Sequence, residues 1–178
     1  MKQGIVVTGS EATGTKILAD AIIKSMGVSG TIGGPVIKSK GSMLLRRSIP
    51  HGRPSLWPKP SRLASYLTNC GCDDITVVVT TREWFSIVKS HQRQDKEIEE
   101  TIRSPQQILE KVRRCYNLIF QDLAQKNIRY VISNYESLIT DPKEHLENLA
   151  IVLGLPFLGM KDVEIRNENE KYKEVKYE

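Results

Sequence analysis

A short loop at residues 9–15, which contains two glycines and two threonines, has the residue types and spacing of an anion-binding turn. An apolar run at residues 5–7 predicts a buried strand before this loop. Apolar residues that recur at helical spacing over residues 17–26 predict a helix after it, beginning within residues 13–15. The N–H groups of such a loop and first helical turn have no carbonyl partner and lie at the positive end of the helix dipole. The sequence therefore predicts an anion site, with phosphate as the expected ligand.

The order of residues in this loop distinguishes two kinds of phosphate site. Nucleoside triphosphatases use G-x-x-x-x-G-K-[ST], in which the lysine contacts the β- and γ-phosphates and the hydroxyl binds magnesium. Gly9 and Gly14 have that spacing, but Thr15 precedes Lys16, which is the reverse order. The stretch T-G-T before an apolar helix instead resembles the S-G-T or G-G-T loop of sulfotransferases that use 3'-phosphoadenosine 5'-phosphosulfate (PAPS). A plain connecting turn is the alternative.

The resemblance implies that this loop binds PAPS, with no metal. The residues that it implies in cofactor binding are Ser10, Glu11, Ala12, Thr13, Gly14, Thr15 and Lys16. The family has a lysine or arginine two residues before the loop glycine, where this chain has Ala12. Lys16 matches a basic residue that some heparan-type sulfotransferases have after G-G-T, so we expect it to be the catalytic residue that stabilises the leaving phosphate. The alternatives for that role are Arg46, Arg47 and Arg53.

A second match follows a strand predicted at residues 75–80, whose continuous β-branched run indicates burial on both faces of a parallel sheet. Arg82 lies just beyond this strand, and Ser90 lies eight residues further on. In sulfotransferases an arginine and a serine at this spacing bind the 3'-phosphate of the cofactor. The family has Asp-Pro where Glu83 and Trp84 stand here. A guanidinium fork and a hydroxyl are suitable phosphate donors, and the alternative is an arginine that begins a helix and pairs with a carboxylate.

A histidine follows another strand, which is predicted at residues 43–49. Pro50 ends this strand and His51 comes next, at the carboxyl end of the strand, where ligands of open α/β sheets bind. The segment resembles the sulfotransferase strand that ends with a histidine beside a proline and supplies the general base, although the family usually has the histidine first. His51 is therefore the expected base that deprotonates the acceptor, and a solvated loop histidine is the alternative.

The third match lies in the last part of the chain. Residues 128–133 predict a buried strand, and Asp141 and Pro142 predict the cap and first position of a helix that Gly154 ends. Residues 135–156 contain Y-E-S-L, D-P and L-G-L-P, which resemble the Y-E-D-L, D-P and L-G-L-P of sulfotransferases. That resemblance implies a structural role behind the cofactor pocket.

Length and composition indicate one globular domain over residues 1–178, with a charged tail at residues 161–178. The net charge of +5 suits a small polyanion, because the basic residues are scattered and no aromatic-rich basic run favours nucleic acid. No stretch is long and apolar enough for a membrane span and no secretory signal precedes the first strand, so we expect a cytoplasmic protein. Three cysteines without C-x-x-C spacing indicate reduced thiols and no zinc site.

These patterns predict an α/β P-loop three-layer sandwich with a mainly parallel sheet of four to five strands and helices on both faces. The expected strand order is 43–49, 75–80, 4–8 and 128–133. Helices are predicted at residues 61–69 and 104–127. Residues 27–41 are predicted as a connection with a short strand at 36–38, and residues 92–103 as a mobile insertion or a solvated helix.

The sulfotransferase resemblance implies transfer of a sulfuryl group from PAPS to a hydroxyl or amine of a small-molecule or glycan acceptor. The product would be 3'-phosphoadenosine 5'-phosphate (PAP). Ala12 keeps a second hypothesis open, which is a noncatalytic nucleotide-binding module. A magnesium-dependent nucleoside or nucleotide kinase is the third hypothesis. It is disfavoured because the strand at residues 75–80 continues into Thr81 and Arg82 rather than into a metal-binding aspartate.

Overall fold

The computed structural model describes residues 1–31, 41–49, 57–97 and 101–172. Within these residues five strands form one sheet, and each neighbouring pair of strands is parallel. The strands are β1 (Gln3–Ser10), β2 (Ser29–Thr31), β3 (Met43–Ile49), β4 (Asp74–Thr81) and β5 (Tyr130–Asn134). The helices are α1 (Thr15–Met26), α2 (Pro60–Asn69), α3 (Trp84–Glu97), α4 (Pro105–Gln125), α5 (Tyr135–Thr140), α6 (Pro142–Leu153) and a 3-10 turn at Glu170–Tyr172. Among these described helices, none has the length and apolar character to cross a membrane.

Different helices bury the two faces of the sheet. Ile5 and Val7 of β1 pack in one core with α1 and α6, whereas Val6 packs in a second core with α2 and α4. Alternate residues of one strand therefore serve opposite faces, as the pleat of a strand requires. This three-layer α/β arrangement confirms the predicted fold class.

The predicted strand order is wrong, because β1 lies at the centre of the sheet. Val6 pairs with Leu45 of β3 on one side and with Val77 of β4 on the other. All eight residues of β1 are buried. Residues 5–7 and 75–80 are similarly apolar in the sequence, so their composition does not indicate which strand is central.

One connection differs from expectation, and another follows one of its two predicted alternatives. The segment at residues 27–41 contains β2, a short strand that pairs with β3 and whose Ser29 N–H donates to the Ser42 carbonyl (3.1 Å). The sequence of β2 has no apolar alternation. Its pairing with β3, rather than a local sequence pattern, therefore makes it a strand. Residues 92–97 belong to α3, so the helical alternative is the correct one for that part. The strand expected at residues 36–38 lies outside the described residues.

The starts of two helices follow their sequence signals. Ser104 Oγ accepts the Gln107 N–H and the Gln107 side chain accepts the Ser104 N–H, which together form a capping box. Asp141 Oδ1 accepts the Glu144 N–H (3.1 Å), and a proline takes the first position of α6. These bonds satisfy N–H groups that have no partner within the helix, which is why local sequence predicted them correctly.

A matched pair of residues on α6 tests its packing against the sheet. Leu146 is fully buried (0% exposed), whereas Ile151 is 77% exposed. Leu146→Ala should lower the free energy of unfolding by about 2 to 5 kcal/mol, because it removes buried carbon atoms and leaves a cavity. Ile151→Ala should change it by less than about 0.5 kcal/mol. Urea unfolding measures both variants, and equal losses would contradict the assignment of the buried face.

Candidate anion-binding site

The loop between β1 and α1 lies at the carboxyl edge of the sheet and depends on a glycine. Gly14 is the N-cap of α1 and has a left-handed φ of 81°. A Cβ at this position would lie 2.5 Å from Tyr135 Cδ2, which is closer than two carbon atoms approach. Ala12 also has a positive φ, of 64°, which is uncommon for a residue with a side chain. Gly14 thus meets a conformational and a spatial requirement, and the first N–H groups of α1 keep no intrahelical partner.

The hydroxyls of Ser10 and Thr13 are used within the protein. Thr13 Oγ1 donates to the Ser10 carbonyl (2.6 Å) and lies 2.7 Å from Thr80 Oγ1. Next to them, the Tyr116 hydroxyl of α4 donates to the Thr80 carbonyl (2.7 Å). Burial raises the pKa of Tyr116, and burial raises the pKa of Cys115, which bonds the Ser10 side chain, to about 12. Both groups therefore stay protonated at neutral pH, and α4 supports the loop from inside.

A cavity of about 650 Å³, which we call the loop pocket, is lined by the loop and the first turn of α1. β3, α3 and the segment at residues 164–168 complete its walls. Five of the residues predicted to bind cofactor line it, namely Glu11, Ala12, Gly14, Thr15 and Lys16. Its volume is within the range of roughly 300 to 1,000 Å³ that is typical of small-molecule and cofactor sites.

Two basic side chains in the loop pocket have no carboxylate partner among the described residues. Lys16 is exposed and forms no hydrogen bond or ion pair with the part of the chain that the structure describes. Arg46 of β3 is half-buried, and its Nη1 donates a long hydrogen bond (3.4 Å) to Ser48 Oγ. Ser48 Oγ lies 2.9 Å from Thr15 Oγ1. A chain of hydrogen bonds thus connects Arg46 to the first turn of α1.

Three of the carboxylates that line the loop pocket are paired with basic side chains. The pairs are Lys111–Glu11 (3.7 Å), Lys24–Asp20 (2.9 Å) and Arg166–Glu164 (2.8 Å). Each pair offsets a negative charge that would otherwise oppose an anionic ligand. Lys16 and Arg46 are therefore the cations in the pocket that are available to such a ligand.

Arg82 is held against the loop by hydrogen bonds on three of its nitrogen atoms. Nη1 donates to the Ala12 carbonyl (2.8 Å), Nε donates to Asn169 Oδ1 (2.8 Å), and Nη2 donates to the same amide oxygen. The guanidinium also lies 4.5 Å from the centre of the Tyr135 ring and 5.8 Å from that of Tyr172. Burial lowers the pKa of Arg82, and the two tyrosines oppose that shift. The acceptors that hold Arg82 are a loop carbonyl and an amide rather than a carboxylate.

The remaining predicted site residues either do not line the loop pocket or lie outside the described residues. Ser90 lies on α3 and is 7% exposed, and neither Ser90 nor Arg82 is among the described residues that line the loop pocket. Arg82 nonetheless donates to the carbonyl of Ala12, which does line the pocket, and binding of a 3'-phosphate by Arg82 and Ser90 stays a prediction. His51 and Arg53 lie outside the described residues, so the general base stays a prediction from the sequence.

Sequence reasoning missed side chains that reach the site from outside the three matched segments. Arg46 was only an alternative and Ser48 was not considered, although both lie on one face of β3 at two-residue spacing. That alternation is a signal that could have found them. Asn169 and Tyr172 contact Arg82 from the C-terminal segment, and that contact was not predicted.

No family model and no curated protein sequence matches this chain. An unliganded sugar kinase from Janibacter sp. HTCC2649 has a similar structure, with a TM-score of 0.48 and 9% identity over 87% of this chain and 96% of that chain. Mouse sulfotransferase SULT7A1, complexed with PAP, has a TM-score of 0.49 and 13% identity over 96% of this chain and 62% of that chain. This chain thus spans less than two thirds of the sulfotransferase's length. The α/β class rests on the parallel sheet itself.

Two glycines with nearly the same φ test the packing of the loop. Gly14 and Gly71 have φ values of 81° and 82°, but nothing lies within 4 Å of a Cβ built on Gly71. At either position, alanine should lower the free energy of unfolding by about 1 to 2 kcal/mol, because its side chain disfavours the left-handed backbone conformation. Gly14→Ala should lower the free energy of unfolding by at least about 1 kcal/mol more than Gly71→Ala, because only its methyl group meets Tyr135. Urea unfolding measures the difference, and equal losses would contradict this packing.

Proposed function

We propose that this chain binds PAPS at the loop pocket and transfers its sulfuryl group to a hydroxyl or amine of a small-molecule or glycan acceptor. The observation that supports the proposal most is the pair of cations, Lys16 and Arg46, that line the pocket beside the first turn of α1 without carboxylate partners among the described residues. A bound anion would be attracted by both these positive charges and would accept hydrogen bonds from the N–H groups at the helix start. The resemblance in loop sequence then favours a phosphosulfate as that anion.

Arg82 has the donors that a 3'-phosphate needs. A guanidinium has five N–H groups, and three of those of Arg82 are engaged by Ala12 and Asn169. One N–H on each terminal nitrogen has no acceptor among the described residues, and guanidinium N–H groups bind phosphate oxygens well. In the proposal, Arg82 and Ser90 therefore recognise the 3'-phosphate next to the loop.

The proposed reaction is an in-line transfer between two oxygen atoms, or between oxygen and nitrogen for an amine acceptor. PAPS would supply the sulfuryl group, so that the bond from sulfur to the 5'-phosphate oxygen breaks as the bond to the acceptor forms. His51 takes the acceptor proton. Lys16 and the first N–H groups of α1 stabilise the negative charge that develops on the phosphate oxygen.

The charge pattern of the pocket favours this proposal over a magnesium-dependent kinase. Magnesium sites of kinases use carboxylates from the ends of strands together with the nucleotide phosphates. Here β4 ends at Thr81 and is followed by Arg82, and three pocket carboxylates are paired with Lys or Arg. A noncatalytic nucleotide-binding module is the outcome if the protein binds PAP but sulfates no acceptor.

Recognition of the 3'-phosphate gives the first test of this proposal. Without metal, PAP should bind about tenfold to hundredfold more tightly than AMP, because a charge-assisted contact contributes about 1.5 to 3 kcal/mol. Calorimetric titration measures both affinities. Arg82→Met should remove most of the preference, whereas Arg113→Met, at a 72% exposed position on α4, should keep it.

Because Arg82 also holds the loop, urea unfolding must establish that Arg82→Met is folded under the conditions of the titration. Equal affinities of the native protein for PAP and AMP would rule out the sulfotransferase proposal. Tighter binding of ATP with magnesium than of PAP would favour the kinase instead.

The role of Lys16 is tested by comparing it with Lys143 of α6, a lysine away from the loop pocket. Lys16→Ala should reduce the rate of sulfuryl transfer by about 10² or more while weakening PAP binding only modestly, because the stabilised charge develops in the transition state. Lys143→Ala should leave the rate unchanged, since Lys143 is 69% exposed, pairs with Glu147 (3.8 Å), and neither residue lines the loop pocket. Steady-state sulfation assays measure both rates. A native rate in Lys16→Ala would assign the role to another cation.

A further inference from the structure

β3 presents two polar side chains to the loop pocket because its residues alternate between faces. Met43 packs in the core with α2 and α4, whereas Leu44 packs in the core with α1 and α6. Arg46 and Ser48 follow Leu44 at two-residue spacing, so they face α1 as well. Parallel pairing sets Ser48 beside Gly9, immediately before the loop. Arg46 and Ser48 therefore line the pocket at the same edge as the anion-binding turn.

The protein itself uses few of the donors of the Arg46 guanidinium. Its Nε–H is buried and has no acceptor in the part of the chain described, and its Nη1 makes only the 3.4 Å bond to Ser48. A half-buried cation without an anion costs free energy that a bound anion would recover. Burial, and to a smaller extent the neighbouring Arg47, lowers the pKa of Arg46, which is the direction expected of such a cation.

The position of Arg46 suits the second of two linked anionic groups. A first phosphate at the start of α1 already has the helix N–H groups and the Thr15 hydroxyl as donors. Thr15 is linked to Arg46 through Ser48, with hydrogen-bond lengths of 2.9 and 3.4 Å. The guanidinium is thus two hydrogen bonds away from the hydroxyl of the first turn. A group attached to the first phosphate would extend from the helix start towards this cation.

We infer that Arg46 recognises the terminal anionic group of a donor that carries two linked anionic groups. The inference rests on the proposed function for the identity of that donor, in which the terminal group is the sulfuryl group of PAPS. PAPS and PAP differ only in this group, so Arg46 is the residue that distinguishes the donor from the product. Its planar fork matches the oxygens of a sulfuryl or phosphoryl group.

Adjacent arginines of β3 provide the test and its control. Calorimetric titration without acceptor compares PAPS with PAP for the native protein and each variant. Arg46→Gln should lower the affinity for PAPS about tenfold to hundredfold and the affinity for PAP only slightly. Arg47→Gln removes the same charge from an exposed position on the opposite face and should leave both affinities unchanged. Arg46→Lys keeps the charge without the fork and should recover part of the affinity for PAPS.

ADP and AMP separate the failure of this inference from the failure of the proposed function. Neither ligand has a 3'-phosphate, and they differ only in the terminal phosphoryl group. A native preference for ADP that Arg46→Gln abolishes supports the inference, even where PAP binds no more tightly than AMP and the sulfotransferase proposal is overturned.

Three results would overturn the inference itself. The first is that Arg46→Gln loses the same affinity for PAP as for PAPS and for AMP as for ADP. The second is that it loses affinity for none of them, and the third is that none of the four nucleotides binds to the native protein. Urea unfolding of Arg46→Gln should match that of the native protein. If that variant is misfolded, the same calorimetric titrations with Arg46→Lys test the inference instead.

Discussion

The hydrogen bond from the Arg82 guanidinium to the Ala12 carbonyl holds the end of β4 against the loop, and the candidate site depends on it. Ala12 has a positive φ, and such a conformation persists only where its surroundings determine it. Arg82 is itself held by Asn169 and stacks on Tyr135, whose ring packs on Gly14. One connected cluster therefore positions the loop, the ends of two strands and the C-terminal segment.

The loop separates its side chains from its backbone. The Thr13 hydroxyl bonds inward to the Ser10 carbonyl and to Thr80, and the Tyr116 hydroxyl of α4 donates to the Thr80 carbonyl from the interior. The N–H groups at the start of α1 are left for a ligand. Donors that are fixed in this way can meet an anion with little reorganisation of the protein.

Charge around the loop pocket is arranged by pairing rather than by a large excess of basic residues. Three of its carboxylates have basic partners, whereas Lys16 and Arg46 have none in the described part of the chain. A partly buried cation such as Arg46 is unfavourable in the free protein. Proteins keep such local costs mainly at functional sites, where a ligand offsets them. The modest net charge of +5 is consistent with a site for one small polyanion.

Local chemistry was sufficient to predict the strand, loop and helix around Gly14, the Ser104 capping box and the α/β class, because helix ends and buried strands depend on neighbours in sequence. The strand order was wrong, because several strands are equally apolar and only their packing selects the central one. The link from Arg46 through Ser48 to the helix start and the contact of Asn169 with Arg82 join residues distant in sequence. The sequence contains these residues, but only the tertiary structure decides which of them meet, since their contacts follow from strand pairing and helix packing rather than from local pattern.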